Sequence, residues 1–116
     1  GWAAQNVAES GGSFQVSHDI ESAYRGADVV YAKSWGALPY FGNWEPEQPI
    51  RDRFKHFMVD EAKMALTNNG VFSHCLPLRR NVKATDAVMD SPNCIAIEEA
   101  ENRLHVQKAV MAALLR

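Results

Sequence analysis

The chain has 116 residues, of which 47% are hydrophobic and 22% charged, and its formal net charge is −2. That balance suits a packed core in one modest domain, or a piece of a larger one, and argues against disorder. It leaves no basic footprint for nucleic acid or an anionic membrane, and the short apolar runs, broken by charge, are too brief to span a bilayer. The opening Gly1-Trp2-Ala3-Ala4 lacks the basic region and long apolar stretch of a signal peptide. Cys75 and Cys94 lie far apart without CxxC spacing, and read as reduced thiols of a cytoplasmic protein rather than a disulfide framework.

In chain order, Trp2–Glu9 is alanine-rich and amphipathic, a helix stopped by Gly11-Gly12. Phe14–Ser17 reads as a brief extended stretch, and His18–Arg25 as a helix closed by Gly26. Asp28–Ala32 (DVVYA) is a continuous β-branched and aromatic run, the pattern of a strand buried on both faces. Ser34–Pro49 carries three prolines, two glycines and two tryptophans, and predicts a long loop of the kind that is usually functional or mobile. Arg51–Phe57 and Asp60–Leu66 predict helices, the second capped by Asp60.

Asn68-Asn69-Gly70 is a turn leading into a buried strand, Val71–His74. Thr85–Met89 predicts a short helix and Cys94–Ile97 the last strand. Ala100–Leu115 predicts a long helix: Leu104, Met111 and Leu115 share a stripe, with Val106, Val110 and Ala113 alongside. Glu98, Glu99 and Glu101 stand at its positive end. Alternation of helices and strands argues for an α/β three-layer sandwich, a parallel sheet flanked by helices. Because the chain opens on a helix where such folds open on a strand, the first strand is expected upstream of residue 1.

Ligands in such sheets bind beyond the carboxyl ends of the strands. Here those ends are Lys33–Gly36, His74–Pro77 and Glu98–Arg103. A strand driven out of the sheet by Pro77 leaves the Cys75 and Leu76 carbonyls free to accept from a ligand; an isolated His-Cys pair, however, reads first as a buried pair in a core turn. Metal binding is weaker, since His74, Cys75 and His105 have no ligand spacing. His74 and Cys75, adjacent on a strand, point to opposite faces and make a poor nucleophilic pair.

The basic run Arg79-Arg80-Asn81-Val82-Lys83 reads as a solvated loop or as a partner for an anionic substrate. Arg103, near the positive end of the last helix, suits either a phosphate or carboxylate grip or a surface pair with Glu99 or Glu101. Lys33 suits a substrate carboxylate or simply marks a strand end, and Trp35 with Gly36 suits a loop closing over a ligand. There is no GxGxxG or GxxxxGK nucleotide loop.

Taken together, HCLPLRRNVKATD (74–86), DSPN (90–93) and EAENRLHVQKAVMAALL (99–115) closely resemble the C-terminal half of ornithine-type carbamoyltransferases, and DIESAYRGADVVYAKSW (19–35) extends the likeness over essentially the whole chain. Ornithine-specific members usually carry a serine-methionine-glycine loop where this chain has Ser34-Trp35-Gly36-Ala37-Leu38-Pro39-Tyr40-Phe41-Gly42. They also tend to have AHRGEEVTD where this chain has LRRNVKATD. Both departures resemble the members that act on N-acetylornithine, with N-succinylornithine enzymes as near relatives and a non-catalytic α/β binding module as the rival from another class.

The resemblance implies carbamoyl transfer from carbamoyl phosphate to the side-chain amine of N-acetylornithine, in arginine biosynthesis, with no metal or organic cofactor. It implies that Cys75 and Leu76 present backbone carbonyls, that Arg103 serves the carbamoyl phosphate side, and that Lys33 meets the substrate carboxylate. Lys83 falls where such enzymes carry a lysine that can be N-carboxylated, while His74 and Arg80 support the site. Residues 1–116 would then be a partial amino-acid-binding domain of a homotrimeric enzyme whose active sites are shared between subunits. The phosphate-binding domain would be absent, for no S-x-R-T-R-like loop occurs here.

Overall fold

The computed structural model describes residues 1–33 and 38–115. Its architecture is α/β, an open parallel sheet flanked by helices. Helix α1 spans Trp2–Ser10 and ends at Gly11, whose φ of 74° is the left-handed conformation that glycine adopts without a Cβ penalty. Helix α2 spans Ile20–Tyr24, with the Asp19 carboxylate accepting from the Ser22 N–H at 3.2 Å.

Strands β1 (Val29–Tyr31) and β2 (Val71–Ser73) pair in parallel, in the register Val29↔Val71, Val30↔Phe72 and Tyr31↔Ser73. On the other edge of β2 the chain at Cys94 adds a single parallel bridge. There the Phe72 N–H donates to Asn93 O at 2.8 Å and the Ile95 N–H to Phe72 O at 2.9 Å. The expected strand Cys94–Ile97 is therefore only this bridge, because helix α6 (Ala96–Leu114) begins inside it. Starting at Ala96 rather than Ala100 brings Glu98 and Glu99 into the first turn, where they face the positive end of the helix.

Between the strands, α3 (Trp44–Arg53) occupies part of the expected loop. Pro46 falls in its first turn, where no N–H is required, and only Pro49 interrupts its ladder. Glu45 and Glu47 at its start and Arg51 and Arg53 at its end complement the helix dipole. The expected helix Arg51–Phe57 is the tail of α3 followed by a 3-10 turn, Lys55–Phe57. Helix α4 (Glu61–Met64) is capped by Asp60 and α5 (Asp86–Met89) by Thr85.

The core gathers where these elements meet β2: Ala32, Val59, Phe72, Ala84 and Val88 are buried, with Tyr24, Val30, Met64, Leu78, Met89 and Cys94 packed around them. Phe72 is wholly buried. Contrary to the expectation of a strand covered on both faces, one face of β1 is open among the described residues: Val29 is 58% and Tyr31 54% exposed, and only Val30 turns inward. The apolar residues Leu104, Val106, Val110 and Met111 of α6 are also exposed.

Candidate active site at the strand ends

The register Tyr31↔Ser73 dictates the geometry of the site. Side chains alternate along a strand, so Tyr31 and Lys33 share one face, as do Ser73 and Cys75. Two residues beyond the last paired positions, Lys33 comes opposite Cys75, and its Nζ lies 3.5 Å from the Cys75 Sγ. Tyr31 and Glu99, the latter from the first turn of α6, both act electrostatically on the Cys75 thiol. Ser73 Oγ donates to Glu99 in a short hydrogen bond.

The electrostatics follow from that arrangement. The Tyr31 hydroxyl, then the Lys33 ammonium, favour the Cys75 thiolate and hold its pKa below the ordinary thiol value. The reciprocal effect pushes the Tyr31 phenol up to about 12, first through its bond to Cys75 and then through burial and Glu99. The structure thus brings together Lys33, Cys75 and the start of α6. The sequence reading missed Tyr31, Ser73 and Glu99 as members of the cluster. The signal was available in the period of two that places Tyr31 beside Lys33 and Ser73 beside Cys75.

Beyond Cys75 the chain leaves the sheet through Leu76, with φ of 45°, and a cis Leu76-Pro77 peptide. Among the described residues no backbone N–H donates to the Cys75 or Leu76 carbonyl; Ser34, which follows Lys33 on the neighbouring strand end, lies outside the described residues. His74 turns the opposite way from Cys75 and is 2% exposed.

Lys83 does not lie in a solvated basic loop; it is 3% exposed. Burial, then the Arg51 and Arg79 guanidiniums, push its pKa down to about 8, against a smaller opposing effect of Glu47. Those neighbours are themselves organised by α3. Arg51 pairs with Glu47 at 2.5 Å, and the Arg51 and Arg79 guanidiniums lie 4.4 and 4.9 Å from the centre of the Trp44 ring. Arg80 instead braces its own loop against α5, pairing with Asp86 at 2.9 Å and Asp90 at 2.6 Å.

Arg103 is exposed on α6, lines a shallow surface depression with Glu99, Asn102, Val106 and Gln107, and forms no ion pair among the described residues. The surface pair with Glu99 or Glu101 is therefore not formed. Trp35 and the rest of 34–37 lie outside the described residues. Among the described residues no group of three His, Cys, Asp or Glu side chains is placed to hold a metal ion, and no helix is long and apolar enough to cross a membrane.

Residues 1–114 match the family model described as aspartate/ornithine carbamoyltransferase, Asp/Orn binding domain. The chain belongs to the aspartate/ornithine carbamoyltransferase family. Among its carbamoyltransferase relatives, it is 89% identical over 114 residues to the N-acetylornithine carbamoyltransferase of Xanthomonas campestris, an alignment covering 98% of this chain and 34% of that protein. The ornithine carbamoyltransferase of Pyrococcus horikoshii is 47% identical over 98% of this chain and 35% of its own length. A crystal structure of acetylornithine transcarbamylase complexed with acetylcitrulline superposes with a TM-score of 0.85 at 89% identity, covering 97% of this chain and 34% of that one. The chain thus spans about a third of the length of the carbamoyltransferases it matches.

Proposed function

We propose that this chain supplies the amino-acid side of a carbamoyltransferase site, and that the intact enzyme moves a carbamoyl group from carbamoyl phosphate to the side-chain amine of N-acetylornithine. The products are N-acetylcitrulline and phosphate, the setting is cytoplasmic arginine biosynthesis, and the working unit is a homotrimer. The observation that carries the reading is the strand end itself. An ammonium, Lys33, stands beside Cys75 at the end of β2, where a turn through Leu76 and Pro77 takes the chain out of the sheet, in a family member far nearer in sequence to an N-acetylornithine enzyme than to an ornithine enzyme.

In this reading the neutral side-chain amine attacks the carbamoyl carbon, charge builds on the carbonyl oxygen, the C–O bond to phosphate breaks, and the nitrogen loses a proton. The Cys75 and Leu76 carbonyls accept from the carbamoyl –NH2 and from the incoming amine, so they orient both reactants without themselves reacting. Lys33 pairs with the α-carboxylate of the acceptor, and Trp35 helps close the loop over it. Arg103, which forms no ion pair among the described residues, serves the carbamoyl phosphate side.

Lys83 is the proposed site of N-carboxylation. Its depressed pKa leaves a usable fraction of neutral amine near pH 8, and that amine adds CO2 with loss of one proton. The carbamate so formed would exchange a third cation beside Arg51 and Arg79 for an anion. Mass measurement under non-acidic conditions should show an adduct of one CO2 that disappears on acidification and in Lys83→Arg; an unmodified mass at high bicarbonate would contradict the assignment.

Titration calorimetry of the full-length protein tests the whole reading. Carbamoyl phosphate should bind first, and N-acetylornithine should then bind with release of phosphate. Absence of both two-ligand binding and phosphate release would identify a non-catalytic module instead.

A further inference from the structure

We propose that His74 is a positioning residue, which uses its Nδ1 atom to latch the Leu76 N–H and thereby aims the Cys75 and Leu76 carbonyls; this deepens, and rests on, the role proposed above for those carbonyls.

The argument starts from strand alternation. His74 follows Phe72 on the face of β2 opposite to Ser73 and Cys75, and like Phe72 it is buried, at 2% exposure. Its ring is turned away from the sulfur and acts on the site through the backbone. The Leu76 N–H donates to His74 Nδ1 at 2.9 Å. This is the i to i+2 side-chain-to-backbone bond by which aspartate and asparagine stabilise tight turns. Here it closes on a residue that needs help, for Leu76 has φ of 45° and carries a Cβ. Left-handed backbone is unfavourable for a residue of that kind, and one hydrogen bond can offset the cost. Without the latch the strand end has an incentive to relax toward negative φ, and the direction of both carbonyls changes with it.

The same bond dictates the protonation state. A backbone N–H can only donate, so Nδ1 must accept and the ring proton must sit on Nε2. Nε2 is buried with no hydrogen-bond partner among the described residues. A leucine would fill much of the same space. What a leucine cannot supply is the acceptor at Nδ1.

Protonation would destroy the latch, since imidazolium presents N–H groups at both nitrogens. The charged groups whose fields reach the ring are Lys33 from the end of β1, Lys83 from the 79–84 segment and Glu99 from α6, two cations against one carboxylate. Burial first, then those two lysines, hold the His74 pKa below its ordinary 6.5, with Glu99 opposing. The latch is therefore intact at neutral pH and opens on the acid side.

The test uses the full-length protein and three forms: wild type, His74→Asn and His74→Leu. Asparagine keeps an acceptor in the i to i+2 position but does not titrate; leucine keeps bulk and loses the acceptor. His74→Leu should lose roughly tenfold or more in kcat, His74→Asn should retain most of it, and the acid limb of the wild-type pH profile below about 6.5 should be missing from His74→Asn. Nitrogen-15 NMR of the wild-type imidazole at pH 7 should show the neutral tautomer with the proton on Nε2. The latch is overturned if His74→Asn is as impaired as His74→Leu, if its acid limb is unchanged, or if the spectrum shows a proton on Nδ1. Should His74→Leu not fold, the asparagine profile and the spectrum decide. A wild type without carbamoyl transfer would sink the functional reading, while the spectrum would still judge the latch.

Discussion

Lys83 shows how much one residue's surroundings matter. In the sequence it belongs to a basic run, and nothing in the run distinguishes it from Arg79 or Arg80. In the fold its side chain is buried beside two guanidiniums, and its pKa falls from 10.5 to about 8. The unfolded chain therefore binds more protons between those two values, so folding stability should rise with pH from about 8 to 10.5, while the full penalty is present below 8. Lys83→Met in CO2-free buffer should be more stable at pH 7 by roughly 1–2 kcal/mol and should lack that rise. Urea titrations across the window would show it, and an unchanged pH slope would contradict the burial argument. A second residue-scale prediction concerns Tyr31. Tyr31→Phe removes the leading stabiliser of the Cys75 thiolate, so the thiol should alkylate more slowly with iodoacetamide near neutral pH; equal or faster alkylation would show that Lys33 alone sets its reactivity.

At the scale of elements, much was legible. The runs DVVYA and Val71–His74 became β1 and β2, and Asp60 caps α4 as its position before the helix suggested. What the sequence hid had physical causes. Helix α3 was masked by its prolines, although its acidic start and basic end carried the dipole signature of a helix. The last strand shrank because Ala96 is both small enough to bury against the sheet and a good helix former, so α6 starts there. The exposure of Val29 and Tyr31 could not be read from DVVYA, because an apolar run does not say whether both faces of its strand are covered. In the site, the approach of Lys33 to Cys75 followed from their positions at adjacent strand ends, while the Ser73–Glu99 hydrogen bond needed the start of α6.

Two substitutions probe this level. A Cβ at Gly70 would sit 2.7 Å from the Ala27 carbonyl oxygen, a backbone atom that cannot swing aside. Gly70→Ala should cost roughly 1–3 kcal/mol by displacing the β1–β2 junction. Thr85→Ala removes the cap whose hydroxyl accepts from the Val88 N–H at 3.3 Å, and should cost about 1 kcal/mol. Denaturation midpoints would rank the two, and an unaffected Gly70→Ala would show that the junction is slacker than its close contacts indicate.

For the whole molecule, the contrast between a small core and wide apolar exposure is the governing fact. Five buried residues around β2 form the central cluster, while the outer face of β1 and the long helix α6 keep Val29, Tyr31, Leu104, Val106, Val110 and Met111 exposed. The chain corresponds to about a third of its relatives' length, and the proposed reaction needs phosphate ligands that the strand-end cluster described above does not include. The 116-residue chain by itself should accordingly show no carbamoyl transfer, and detectable turnover would contradict the division of the site into two halves. Within the full-length protein, the acceptor is the central claim. A colorimetric assay of ureido product, with saturating carbamoyl phosphate and equal concentrations of N-acetylornithine, N-succinylornithine or ornithine, measures it directly. N-acetylornithine should be carbamoylated fastest; a preference for free ornithine, or for the succinyl compound, would contradict the account.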